Sequence, residues 1–252
     1  MAKQESIIPL RGTIGEITFY HTKDGFLAKK KSSLDKTRII NDPAFIRTRE
    51  NASEFAKACA AGTLLRKAFK PLVKKGSDRL VVSRLTKIML AVIQSDPIHS
   101  RGQRAIASGN LSLLKGFEFN AAAILTANFF APIQPSDDRA TGLATLYVET
   151  FSPCNMTRKV SGATHCRVSA AAAAIDFTGG TCIAAKTESD YYVSLIDNST
   201  PPMQLTVPIP AVCAEPVFLV MGIEYFQEIN GTIYPLKDTG CHAFSIVAVY
   251  PR

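Results

Sequence analysis

The chain has 252 residues, 46% of them hydrophobic and 20% charged, with a formal net charge of +8 and no tryptophan. That balance excludes a disordered polymer and allows one large domain or two small ones, each able to bury a core. The charge is uneven: residues 1–120 carry 22 Lys/Arg against 10 Asp/Glu, a balance of +12, whereas residues 121–252 carry 7 against 11, a balance of −4.

The opening residues, through Arg11, hold no apolar run of the kind a secretory signal needs. No apolar stretch approaches the roughly 18–20 residues of a bilayer span. A soluble protein made in a reducing cytosol is expected. Cys59, Cys154, Cys166, Cys182, Cys213 and Cys241 are then unpaired, small apolar side chains.

Thr13 to Tyr20 favours a strand, Lys23-Asp24-Gly25 supplies a turn, and Phe26-Leu27-Ala28 resumes the strand, which predicts an N-terminal β-hairpin. Gly12-Thr13-Ile14-Gly15 reads as its entrance. Lys29-Lys30-Lys31-Ser32-Ser33 leaves it as a basic loop. Asp42-Pro43 has the chemistry of a helix start, and Phe45, Ala52, Phe55, Ala56, Cys59, Leu65, Phe69 and Leu72 recur on one helical face. Gly62 is expected to break or bend that helix, and Pro71 to lie near its end. A second helix is predicted over Ser77 to Gln94, capped by Ser77 or Asp78 and closed by Asp96-Pro97. The two form a helical hairpin, and a short helix is expected between Arg101 and Leu114.

After Gly116 the pattern changes to short strands: Phe117–Phe119, Thr126–Phe130, Ala144–Thr150, Thr164–Ala170, Ile175–Phe177, Tyr191–Ile196, Gln204–Val207, Val217–Ile229, Thr232–Tyr234 and Phe244–Tyr250. Pro132–Asp138 reads as a turn-rich joint. Asn230-Gly231 is the sharpest hairpin signal, a type I′ turn. Such spacing predicts an antiparallel β-sandwich. The Ala170–Ala174 run favours a helix by propensity but is too short to nucleate one.

No GxSxG, Walker A, GxGxxG or HExxH element is present, so no catalytic residue is assigned and no cofactor is expected. His165-Cys166 and Cys241-His242 could bring two ligands to one face only if they lay on paired strands, so no metal site is assigned either. Asp137-Asp138 reads as turn chemistry. The chemical signal that remains is cationic: Lys29, Lys30 and Lys31 after the hairpin, Arg47 and Arg49 in the first helical turns, and Arg66, Lys67, Lys70, Lys74 and Lys75 near that helix end. These ten are the candidate contacts for a polyanion or an acidic partner surface.

Gly12-Thr13-Ile14-Gly15-Glu16-Ile17-Thr18-Phe19-Tyr20, Lys23-Asp24-Gly25, Asn41-Asp42-Pro43-Ala44-Phe45 and Arg47-Thr48-Arg49-Glu50-Asn51 together resemble the opening of an uncharacterised family of Bacteroidetes-type bacteria. Arg101-Gly102-Gln103-Arg104, Ser161-Gly162-Ala163-Thr164-His165 and Tyr234-Pro235-Leu236-Lys237 extend the resemblance over most of the chain. It carries no catalytic residues. It implies synthesis in a bacterial cytoplasm and a prophage-like or particle-forming structural protein.

The expectation is therefore an α+β protein. A basic region, residues 1–120, holds the β-hairpin and helical hairpin, and residues 121–252 form the β-sandwich. The expected function is non-enzymatic: a structural, self-assembling component of a virion-like particle or filament. Its partners are copies of itself or other particle proteins. Sequence-independent nucleic-acid binding through the basic half is the alternative.

Overall fold

Asp42 caps, as expected, the 3-10 turn Pro43–Phe45 that leads into the first long helix, its carboxylate accepting the Ala44 N–H at 2.9 Å with Pro43 just inside the first turn. The computed structural model describes residues 2–5, 8–31, 35–190 and 192–251. Ser32 and Ser33 of the expected basic loop, and the Tyr191 start of one expected strand, lie outside them. Two compact units divide the chain, Met1–Asn51 and Ala52–Arg252.

The first unit is an antiparallel sheet of β1 (Ala2–Lys3), β2 (Gly12–Ile14), β3 (Ile17–Thr22) and β4 (Gly25–Lys30), in the order β1-β4-β3-β2. The expected Lys23-Asp24-Gly25 turn joins β3 to β4. The strand expected from Thr13 to Tyr20 is instead two strands. Gly15, at φ +59°, reverses the chain there, and Ile14 pairs with Ile17. A short helix, α1 (Lys36–Asn41), follows.

Helix α2 (Ile46–Ala68) runs unbroken through Gly62, contrary to the expected break. A Cβ on Gly62 would lie 3.6 Å from Leu85, so the glycine marks a close helix crossing. The break comes later, at Phe69, because Pro71 lacks an N–H and can only begin a new helix, α3 (Lys70–Gly76). Helix α4 (Val81–Gln94) is preceded by Asp78, whose carboxylate accepts the Leu80 N–H. Residues 106–114, expected as a short helix, form two 3-10 turns.

The rest of the second unit is two antiparallel sheets. The smaller orders β10 (Met203–Pro208), β6 (Leu143–Val148) and β5 (Ile133–Asp138). The larger is built on β7 (His165–Asp176) and β11 (Val217–Ile229), paired from Val217↔Ala174 to Phe226↔His165. β8 (Thr181–Glu188) and β9 (Val193–Ser194) flank β7, and β12 (Thr232–Pro235) and β13 (Ala243–Tyr250) flank β11. Asn230 (φ 53°) and Gly231 (φ 77°) make the expected tight turn between β11 and β12.

Each face of the large sheet lies in its own core. Cys166, Val168, Ala170, Ala172, Leu219, Met221, Ile223 and Tyr225 pack against Leu146, Val148, Leu205 and Val207 of the small sheet. Ala171, Ala173, Ile175, Phe218, Val220, Phe244 and Ile246 pack against Leu65, Leu72, Leu85 and Met89 of the helices. The expected β-sandwich is thus present within an α+β fold, with helices covering its second side. This is why the units do not divide at 120/121: the helices of residues 52–94 share a core with the sheet.

Four further expectations differ. Phe117–Phe119 makes one isolated bridge, Glu118↔Ser245. Residues 125–128 are a single helical turn, α5 (Leu125–Asn128). Pro132–Asp138 is mostly strand β5 rather than a joint. Thr164–Ala170 and Ile175–Phe177, expected as separate strands, fall in the single strand β7 (His165–Asp176), since alternate alanines fill both cores and overrule the helical propensity of the run. A second one-turn helix, α6 (Pro153–Met156), lies between the sheets' strands in sequence.

Candidate functional site

No described residue of the first unit is buried. The strand register puts Ala2, Ile14, Ile17, Phe19, Phe26 and Ala28 on one face of its sheet. Ile14 is 64% and Ile17 47% exposed. The Lys30 ammonium meets the Glu16 carboxylate at 3.2 Å on the same face. On the other face, the Lys29 ammonium lies 5.4 Å from the centre of the Tyr20 ring. Lys31 follows, exposed. Arg47 is exposed in the first turn of α2, whereas Arg49 turns inward and donates to the carbonyls of Ile39 (2.9 Å) and Asp42 (3.0 Å). Arg49 therefore ties α1 to α2.

In the second unit Lys67, Lys70 and Lys74 are exposed, and Arg66 donates to Thr63 Oγ1 at 3.0 Å. Lys75 does something else. From the last turn of α3 its ammonium reaches Glu224 at 2.8 Å and Glu188 at 3.3 Å. Lys186 pairs with Glu188 and lies 4.0 Å from Glu224, while Arg167 reaches Glu188 at 2.7 Å. Three cations thus surround two carboxylates, and the Glu224 side chain is only 8% exposed. Burial works to lower the Lys75 pKa, but the hydrogen bond and charge of Glu224, with the charge of Glu188, together outweigh it and raise the pKa. Of the ten cations expected to share one role, Arg49 and Lys75 are engaged internally. The sequence pattern held one signal for the cluster: alternate residues at Lys186 and Glu188, and at Glu224 and Phe226, share a strand face.

The two histidine–cysteine pairs do not come together. His165 begins β7 and His242 precedes β13, and these strands flank opposite edges of β11. His165 Nε2 lies 3.8 Å from Glu228. His242 is buried, its Nδ1 accepting the Tyr225 N–H at 3.2 Å, and burial lowers its pKa. Burial also pushes the Cys166 thiol up to about 12, so it is not an activated nucleophile. Among the described residues no group of three His, Cys, Asp or Glu could hold a metal ion. Asp138 does serve a turn, accepting from Ala140 N–H and Thr141 Oγ1, and Asp137 pairs with Arg139 at 3.2 Å. Among the described residues no helix is long and apolar enough to cross a membrane.

No family model, no curated protein and no solved structure matches the chain.

Proposed function

We propose that the protein is a non-enzymatic structural protein that assembles with copies of itself into a virion-like particle or filament. The observation that carries this reading is the N-terminal sheet: four strands with an apolar face and no buried side chain among the described residues. A small sheet gains lasting stability when one face is covered, and an uncovered apolar face favours a partner. Charge argues that the partner is a second copy. Lys29, Lys30 and Lys31 lie at the exposed end of β4, whereas residues 121–252 are net negative, with Asp190, Asp197, Glu228 and Asp238 exposed. Such a contact joins unlike surfaces, head to tail, and yields rings or filaments.

Light scattering after size exclusion, with electron microscopy, tests this on the full chain. Oligomers or filaments are expected, and they should dissociate in the Ile14→Lys, Ile17→Lys double variant and weaken at about 0.5 M salt. A monomer at every concentration and salt sinks the reading. Retardation of DNA at low salt, lost when Lys67, Lys70 and Lys74 become Glu, would favour the nucleic-acid alternative in its place.

A further inference from the structure

The charged cluster around Glu188 and Glu224 opens on one side into a cleft of about 520 Å³, walled by Tyr192 and Phe226 and rimmed by Lys237. That volume falls within the range of small-molecule sites. The cleft's two carboxylates are already matched by cations. Both Glu188 oxygens and both Glu224 oxygens already face a cation: Lys75 at 3.3, 2.9 and 2.8 Å and Arg167 at 2.7 Å. The donors, in contrast, are not all engaged. Lys75 turns its three N–H groups toward three carboxylate oxygens, so it offers a ligand positive charge rather than a free donor, and it remains 40% exposed. Arg167 uses Nε on the Ser189 carbonyl and Nη1 on Glu188, leaving Nη2 without a partner among the described residues. Because His242 Nδ1 accepts from the backbone, the neutral ring carries its proton on Nε2. Lys237 is exposed and has no ion pair among the described residues. Three cations that line the cleft, Lys75, Arg167 and Lys237, stand against two carboxylates.

The wall is aromatic. The Tyr192 and Phe226 rings meet edge to face with centres 4.8 Å apart, and the Arg167 guanidinium lies 5.1 Å from the Tyr192 ring centre. We propose that this cleft is a binding site for a small organic anion with a flat apolar body, its carboxylate or phosphate held by Lys237, Arg167 and Lys75 and its body laid against Tyr192 and Phe226. The surrounding network holds Arg167 and Lys75 in place before the ligand arrives, which lowers the ordering cost of binding. All of the cleft's lining residues belong to the second unit.

Calorimetric titration of the full chain with phenyl phosphate, benzoate, inorganic phosphate and acetate tests it. At least one aromatic anion should bind saturably, about tenfold or more tighter than the bare anion of the same charge group, a difference set by contact with the rings. Lys237→Ala and Tyr192→Ala, both at the rim, should each weaken that binding about fivefold or more, with circular dichroism and thermal unfolding unchanged. Phenyl phosphate preferred over benzoate would mark a phosphate ester as the ligand class, and the reverse a carboxylate; either supports the site. Three results overturn it: no saturable binding of any probe up to about 10 mM, bare anions binding as tightly as aromatic ones, or both variants binding like the parent.

Discussion

The Lys75 ammonium lies 2.8 Å from the Glu224 carboxylate, and that one contact links the last turn of α3 to the middle of β11. Glu224 is the more buried partner, so it depends on Lys75 more than Lys75 depends on it. With Lys75 removed, the cations left beside Glu224 are Lys186, at 4.0 Å, and its cross-strand neighbour Arg167.

Lys75→Met should therefore lower the unfolding free energy by about 2 kcal/mol, below the 3–5 typical of a fully buried pair because Lys75 is part exposed. The double variant Lys75→Met, Glu224→Gln should recover part of this, since it leaves no buried charge unpaired. Urea unfolding of the full chain measures both. Equal stability of Lys75→Met and the parent would show that solvent already screens the pair.

Phe244 lies across two glycines. A Cβ on Gly222 would come 2.5 Å from its ring and one on Gly76 2.7 Å. Gly222→Ala forces either the ring or the strand to move and should cost about 1–3 kcal/mol. Phe244→Leu removes the obstruction, so the double variant should be less destabilised than the sum of the singles, a coupling that a double-mutant cycle reads directly. Strict additivity would place the clash elsewhere.

Burial lowers the His242 pKa, with Glu224 acting in the opposite sense and Lys75 in the same one. A folded-state value below the unfolded one means that the unfolded chain takes up the proton first. The contribution is then fully present above pH ~6.5 and is lost as the pH falls through the folded value. Asp96 adds a second, more acid step. Burial works to raise its pKa, but the N–H groups of Ala105 and Ile98 and the His99 ring hold it well below the ordinary carboxylate value. That contribution is present above pH ~4 and is lost below it. Unfolding midpoints followed from pH 8 to pH 3 should fall in two stages. The first should flatten in His242→Gln and the second in Asp96→Asn. A first stage that persists in His242→Gln would assign it to another group.

The features legible in the sequence are those decided within a few residues. Asp42-Pro43 and Asn230-Gly231 act through their own backbone geometry, and each does in the structure what its chemistry predicts, whereas the helix expected from Ser77 begins at Val81, with Leu80 before it and no side-chain cap. The buried face of α4 was readable, since its period is local, but that of α2 was not: Ala52, Phe55 and Ala56, expected on its apolar face, are exposed, and Glu54, Ala58, Ala61 and Leu64 are buried instead. Strand β8 was not readable, because Thr181 to Glu188 shows no apolar alternation, although Gly179-Gly180 and Ser189-Asp190 punctuate its ends. It is a strand because β7 offers it a partner from Ser169↔Glu188 to Asp176↔Thr181.

The candidate site divides along the same line. Composition alone located the excess of cations before residue 120, and the N-terminal sheet displays three of them, Lys29, Lys30 and Lys31, outside any core. It could not separate Lys74, which is exposed, from its neighbour Lys75, which meets two carboxylates more than a hundred residues away.

By itself the sequence determined the α+β class, the antiparallel hairpins, the helix start at Asp42-Pro43 and the net charge, all of which follow from short-range sterics and composition. The tertiary structure alone decided that alanines 170–174 form a strand buried on both faces. It alone decided that the helices join the sandwich rather than the N-terminal sheet, and that Lys75, Arg167, Lys186, Glu188, Glu224 and His242 share one cluster. Those outcomes depend on which surfaces exclude water together, a property of pairs of distant segments that no single segment carries.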